Sequence, residues 1–129
     1  MALTAFDHVN IRTVNLTEMV AWYENTLGLR SGDRPEFPVP GAWLYLGDTC
    51  VLHLIEADPA PTPYADTESL RMEHMAFRAE GMETFIQHLE AHGVAYKLFP
   101  FDALRTVLVF LRDPDGNRLH VDFDAAEQG

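Results

Sequence analysis

The stretch AFDHVNIR, residues 5–12, alternates polar and apolar side chains as a half-buried β-strand does. A related stretch, RMEHMAFRA, follows at residues 71–79. The histidines of the two stretches, His8 and His74, are 66 positions apart. A pattern that returns at a fixed spacing indicates an internal duplication, and this duplication decides the fold.

The same spacing continues through the elements that follow each stretch. Met19 and Phe85, on two helix-like segments, are 66 positions apart, and His53 and His120, on two later strands, are 67 apart. We therefore predict an α+β fold of two βαβββ modules, whose curved mixed sheets enclose a concave site. The modules cover about residues 5–57 and 71–123, and a proline-rich linker, 58–70, joins them.

Capping signals place the first helix. Asn15 begins the segment NLTE, with Glu18 three residues later, which resembles a capping box, and Gly28 marks the end. The second helix is predicted over residues 81–94, with Gly93 at its end.

The last strand follows a predicted tight turn, DPDG, at residues 113–116. Leu119, Val121 and Phe123 alternate as its buried face, so His120 lies on the opposite face beside Asp122. His8, His53 and His74 occupy comparable positions on their own strands, so we expect all four on the faces that no helix covers. Neutral imidazole is the commonest metal ligand, and we predict a metal site of His8, His53, His74 and His120; the alternative is a structural cluster.

Two further histidines, His88 and His92, are spaced i, i+4 on the second helix, a spacing that can clamp a metal. No third ligand is evident there, so we interpret both as surface residues. Aromatic side chains at strand positions are typical of a core, and we expect Trp43, Tyr45, Phe99 and Phe101 in it, with a pocket wall as the alternative.

Composition narrows the class of protein. The chain has 129 residues and a formal net charge of −11, which disfavours nucleic acid and anionic membranes as partners. A single cysteine, Cys50, and a start without a signal-like apolar run favour a cytoplasmic protein. A small-molecule substrate is the expected partner.

Three stretches resemble the vicinal oxygen chelate superfamily, which includes glyoxalase I, extradiol dioxygenases and bleomycin-binding proteins. They are FDHVNIRTVNLTEMVAWYENTLGL, EHMAFRA and FLRDPDGNRLHVDF, at residues 6–29, 73–79 and 110–123. The resemblance implies paired βαβββ modules around a divalent metal, usually in a homodimer. It also implies that the four histidines are the metal ligands, although most catalytic members carry Glu at the position of His120.

Other residues on the histidine faces are candidates for substrate chemistry. Asp122 is the expected proton acceptor, with a metal-supporting carboxylate as the alternative. Asn10, Arg12 and Arg78 are expected to bind substrate, although the arginines could equally pair with surface acids. An all-imidazole ligand set favours zinc, nickel, cobalt, copper or iron.

Three functions fit these observations. The first is a metal-dependent lyase or isomerase of glyoxalase type, acting on a small substrate through two adjacent oxygens. The second is an iron-dependent ring-cleaving dioxygenase, and the third a non-enzymatic protein that sequesters a cationic drug, as bleomycin-binding proteins do.

Overall fold

The computed structural model describes residues 1–57 and 69–128. Most of the predicted linker, 58–68, lies outside the described residues. The chain forms two compact units, Met1–Ala65 and Asp66–Gly129, each with its own sheet. No helix in the described ranges is long and apolar enough to cross a membrane.

The first unit is a four-stranded mixed sheet with one helix. Its elements are β1 (Val9–Thr13), α1 (Leu16–Leu27), β2 (Arg30–Ser31), β3 (Gly41–Leu46) and β4 (Thr49–Glu56). The strand order is β1-β4-β3-β2; β1 is parallel to β4, and the other neighbours are antiparallel.

The second unit repeats this arrangement. Its elements are β5 (Met75–Arg78), α2 (Met82–Ala91), β6 (Lys97–Phe101), β7 (Thr106–Arg112) and β8 (Arg118–Asp124). The strand order is β5-β8-β7-β6, again with only the first pair parallel. The predicted α+β fold with duplicated βαβββ modules is therefore confirmed.

Each helix covers one face of its own sheet. In the first unit, α1 packs on β2, β3 and β4, and its Met19 and Tyr23 are fully buried, as is Leu44 of β3. In the second unit, Phe85 of α2 contacts the buried Phe123 of β8, with ring centroids 5.6 Å apart. Because side chains alternate along a strand, the neighbours of these core residues project from the helix-free face.

Both first strands begin later than the alternation predicted. Backbone pairing starts at Val9 in β1 and at Met75 in β5. The side chains just before both strands are exposed, so no buried face extends the ladder. His8 and His74 therefore directly precede their strands rather than lying in them.

The start of α1 is as predicted, but the predicted capping box is wrong. Asn15 makes no side-chain capping bond; instead its backbone N–H donates to Thr13 Oγ1 at 2.9 Å. The N-terminus of α2 is capped by a residue far along the sequence. Glu127 Oε1 accepts hydrogen bonds from the backbone N–H groups of Gly81 and Met82 at 2.8 and 2.9 Å.

The predicted turn before the last strand is confirmed. The backbone N–H of Gly116 donates to Asp113 O at 2.9 Å, and Gly116 has φ +87°, which favours glycine. The carboxylate of Asp113, only 4% exposed, accepts from the backbone N–H groups of Asp115 and Asn117 and from the Asn117 side chain at 2.8 to 3.0 Å. These bonds fix where β8 starts and hence where His120 lies.

Candidate metal and substrate site

In the first unit, strand register brings His8, His53 and Trp43 together. His53 of β4 pairs with Asn10 of β1 on one side and with Trp43 of β3 on the other. The ring of His8 stacks on that of His53, with centroids 3.7 Å apart and planes 15° apart. The Trp43 ring stacks on His53 at 4.2 Å and 8°. His53 therefore lies between another imidazole and an indole.

The surroundings of His8 and His53 bear on how each ring could donate to an ion. Nδ1 of His8 bonds to Asp7 Oδ1 at 2.7 Å, which leaves Nε2 as the remaining donor to an ion. Burial lowers the pKa of His53, and the nearby His8 and Arg34 lower it further, against a smaller opposing effect of Asp7. A lowered pKa keeps this imidazole unprotonated at neutral pH, as metal binding requires.

In the second unit, His74 and His120 form the corresponding pair, with ring centroids 4.5 Å apart. His120 is 7% exposed, and its Nδ1 is hydrogen-bonded to Asp122 Oδ1. No described residue donates a hydrogen bond to the second oxygen of Asp122. The Phe110 ring lies edge-on to His120, with centroids 5.2 Å apart.

His74 also has a carboxylate beside its Nδ1. Glu73 Oε1 lies 3.5 Å from that nitrogen, while Glu73 Oε2 accepts from Arg118 Nη1 at 3.0 Å. The hydrogen bond from Arg118 is the main cause of the lowered pKa of Glu73. The charged carboxylate therefore remains beside His74 across the neutral range.

The donor set fits a divalent metal in kind but not in number within one unit. Three of the four histidines have a carboxylate beside Nδ1, and at His8 and His120 it forms a hydrogen bond, an arrangement that fixes the tautomer and directs Nε2 to a metal. Each unit supplies two imidazoles, whereas a complete shell needs three or four protein donors. Within residues 1–57 and 69–128, no group of three or more His, Cys, Asp or Glu side chains could hold an ion.

The predicted substrate-binding residues lie beside the histidine pairs. Asn10 is opposite His53 in the register, and Arg12 and Arg78 follow on β1 and β5, all three exposed. Arg78 is opposite Asp122. Neither arginine forms an ion pair with a described residue, so the interpretation as surface ion pairs gains no support there.

His88 and His92 remain apart from these pairs. Their rings lie 4.2 Å from each other, and His92 Nδ1 bonds to the carbonyl oxygen of His88 at 2.9 Å. Their spacing therefore produces a local contact at the C-terminal end of α2.

Sequence reasoning missed the carboxylates beside the histidines and misplaced two aromatic residues. A signal for the carboxylates was present, because Asp7 and Glu73 each directly precede a histidine at the 66-residue spacing. The core interpretation is wrong for Phe99 and Phe101, which are 50% and 38% exposed. Alternation could not show this, because it does not identify which strands lie at the edge of a sheet.

Comparison with known proteins places this geometry in a family. The model of the Glyoxalase/Bleomycin resistance protein/Dioxygenase superfamily matches residues 5–121. Glyoxylase I 4 of Arabidopsis thaliana is 28% identical over 123 residues, which are 92% of this chain and 70% of that protein.

Two solved structures show the same fold. One is a glyoxylase/bleomycin resistance protein/dioxygenase domain from Frankia sp. EAN1pec, with TM-score 0.78, 20% identity and coverage of 95% of this chain and 93% of that one. The other is a lactoylglutathione lyase from Agrobacterium tumefaciens, with TM-score 0.70, 17% identity and coverage of 95% and 96%. Because the family model matches residues 5–121, nearly the whole chain, this protein belongs to the Glyoxalase/Bleomycin resistance protein/Dioxygenase superfamily.

Proposed function

We propose that the protein is a metal-dependent lyase or isomerase of glyoxalase type, acting on a small substrate that presents two adjacent oxygens. The observation that carries this proposal is the pairing of imidazoles in each unit, with carboxylates at the Nδ1 atoms of His8, His74 and His120. A purely structural histidine pair does not need its Nδ1 atoms held in this way, whereas a ligand does.

The two pairs are proposed to hold one divalent ion through four imidazole nitrogens, either within one chain or between two chains. The His8 and His53 rings, with centroids 3.7 Å apart, place two imidazoles side by side at the proposed site. Such a shell suits zinc, nickel, cobalt, copper or iron. When bound, the ion would polarise a substrate carbonyl and make the neighbouring C–H bond more acidic.

Asp122 is proposed to act as the proton acceptor. One of its oxygens holds His120, and the other accepts no bond from a described residue, which leaves it available to take a proton from the substrate. The carboxylate would thus supply what the Glu of related enzymes supplies at the position of His120. Asn10, Arg12 and Arg78 would bind the oxygens or the anionic group of the substrate.

The proposed assembly is a homodimer. Each sheet has two edge strands that another chain can cover. They are β1 and β2 in the first unit and β5 and β6 in the second. Sedimentation is expected to give a dimer, and a monomer at all concentrations tested would contradict this part of the proposal.

A second function has one observation in its favour. The net charge of −11 suits a protein that captures a cationic drug without chemistry, as a bleomycin-type resistance protein does. A ring-cleaving dioxygenase, in contrast, needs iron and consumes oxygen, so an oxygen electrode separates it from the isomerase.

Metal analysis tests the proposal directly. Protein expressed with zinc, nickel, cobalt and iron available, then purified without chelators, is expected to carry about one ion per site. His120→Ala should lower metal affinity about 10- to 1,000-fold, and His120→Glu should retain the ion. His88→Ala is the matched control on α2 and should change nothing. Wild-type protein without a stoichiometric ion, or His120→Ala with parental affinity, would refute the metal site.

A further inference from the structure

The second unit exposes a cluster of three aromatic rings next to its histidine pair. Phe99, Phe101 and Phe110 are 50%, 38% and 37% exposed. The Phe99 ring contacts both others edge-on, with centroids 6.0 Å from Phe101 and 6.4 Å from Phe110. Phe110 in turn lies 5.2 Å from His120. The aromatic cluster therefore continues directly into the histidine pair.

The strand register explains why these rings are outside the core. Val107 and Val109 of β7 are fully buried beneath the helix-covered face, so Phe110 projects from the opposite face. Phe110 is opposite His120 on one side and Lys97 of β6 on the other. Rings that the fold does not bury, grouped on one face, are typical of a binding surface.

Two exposed cations accompany the aromatic cluster in this otherwise acidic chain. Arg78 and Lys97 are exposed, and neither forms an ion pair with a described residue. The nearby carboxylate of Asp122 already uses one oxygen to bond His120. In a chain with net charge −11, unpaired cations at both margins of an aromatic cluster favour an anionic occupant.

We propose that this face binds a planar aromatic group on the substrate, so that the preferred substrate is a small aryl compound whose adjacent oxygens include an anionic one. The inference rests on the proposed function, because the ion held by the histidines would bind the substrate oxygens while the phenylalanines contact the aromatic ring of the substrate. Phe99, Phe101 and Phe110 meet edge to face, which leaves ring faces and edges available to a further ring in the geometry that aromatic pairs prefer.

Two probes that share a head group isolate the contribution of the ring. Phenylglyoxylate and pyruvate are both 2-oxo carboxylates, and they differ in the phenyl and methyl substituents. Calorimetric titration of the zinc-loaded full chain is expected to give phenylglyoxylate at least a tenfold lower Kd than pyruvate. This factor follows from the size of aromatic contacts together with the apolar area that the ring buries.

Substitutions assign that preference to the cluster. Phe110→Leu and Phe99→Leu, which keep an apolar side chain but remove the ring, should each weaken phenylglyoxylate about 3- to 10-fold and leave pyruvate unchanged. Leu46→Ala, at an exposed apolar residue of β3, is the control and should alter neither probe. Both phenylalanines are more than one-third exposed, so these variants are expected to fold.

Failure of this inference differs from failure of the metal site. If the metal site is wrong, His120→Ala or removal of zinc leaves both affinities unchanged, whereas the ratio between the probes still reports the ring. Equal affinity for the two probes would overturn the aryl proposal. So would equal losses of both probes in Phe110→Leu. If the leucine variants instead convert a wild-type dimer into monomers without changing the probe ratio, the face is an interface between two copies, and the proposal is wrong.

Discussion

The two histidine pairs share a register but differ in what surrounds the histidine on the fourth strand of each unit. In the first unit His53 is stacked between two rings and is followed two residues later by Ile55. In the second unit His120 meets a ring edge and is followed two residues later by Asp122, to which it bonds. Both halves of the duplication therefore retain the histidine, but the side chains that contact it differ.

This difference suggests that the two histidine pairs have different chemical roles. Burial, with the nearby His8 and Arg34, lowers the pKa of His53 and so favours the neutral ring. A ring in that state can donate to an ion but has no adjoining strand carboxylate to exchange protons with. His120 has one, so the proposed proton transfer belongs to the second unit.

The largest expected effect comes from removing that carboxylate. Asp122→Asn should lower the isomerisation rate of thiol adducts of 2-oxoaldehydes about 100-fold or more, because a general base is lost. Metal affinity should fall no more than about 100-fold, since the amide still contacts His120. Glu56→Gln, at the exposed end of β4, is the control. If added metal fully restores the rate, Asp122 only positions His120 and is not the proton acceptor.

A stability difference between the units is expected at their turns. In the first unit Gly47, with φ +59°, provides the β3–β4 turn without a buried carboxylate, whereas Asp113 organises the turn before β8. Asp113→Ala should lower the free energy of unfolding by about 2 to 4 kcal/mol, as three hydrogen bonds to a buried group are lost. Denaturant titration measures this value. Asp48→Ala, in the exposed turn of the first unit, should cost under about 0.5 kcal/mol.

Transplanting the carboxylate tests the comparison itself. Ile55→Asp places an acid two residues after His53, as Asp122 follows His120. A carboxylate favours the protonated imidazole, so the pKa of His53 should rise in the metal-free protein. Proton NMR of the ring follows the titration, and Ile55→Asn controls for the loss of the apolar side chain. An unchanged pKa in Ile55→Asp would show that burial, rather than the missing carboxylate, controls the pKa of this ring.

The smallest expected effect concerns equivalent acids on the two helices. Glu24 on α1 accepts from the backbone N–H and Oγ of Ser31, and these bonds lower its pKa. Glu90, 66 positions later, accepts from the hydroxyl of Tyr96 at 2.6 Å.

A lowered pKa in the folded state stabilises the protein above the unfolded pKa of about 4.3 and loses that effect as the pH falls through the folded pKa. Glu24→Gln should therefore cost about 0.5 kcal/mol at pH 7, a value kept small by solvent exposure, and less near pH 3. Urea midpoints at the two pH values measure this. Glu90→Gln is the matched variant on α2.

Most of the fold followed from the sequence because duplication makes each half a check on the other. The spacing of His8 to His74 and of His53 to His120 located the modules, and alternation identified the helix-free faces correctly around His120. Strand starts were less accessible, because His8 and His74 precede strands whose pairing depends on a partner elsewhere in the chain. The short strand β2 carries only Arg30 and Ser31, too few residues for a period.

The sequence predicted which histidines form the candidate site, but it predicted less well which side chains contact them. Histidines are recognisable individually, but the contact of Phe110 with His120 depends on strand register, which the alternation of a single strand does not fix. The bond between Asp122 and His120 was within reach, because residues two apart on a strand share a face. The sequence shows Asp7 next to His8 but not that their side chains meet, because adjacent residues of a regular strand point to opposite faces and this segment precedes the strand.

The stacking of Trp43 on His53 gives the protein an optical reporter. An indole 4.2 Å from an imidazole senses the charge of that ring, so protonation of His53 or coordination of an ion should quench or shift the tryptophan emission. The other tryptophan, Trp22, lies on α1 beside Tyr23, and Trp22→Phe would leave Trp43 as the single emitter. Occupancy of the first histidine pair could then be followed in real time, without a chromogenic substrate and before the natural one is identified.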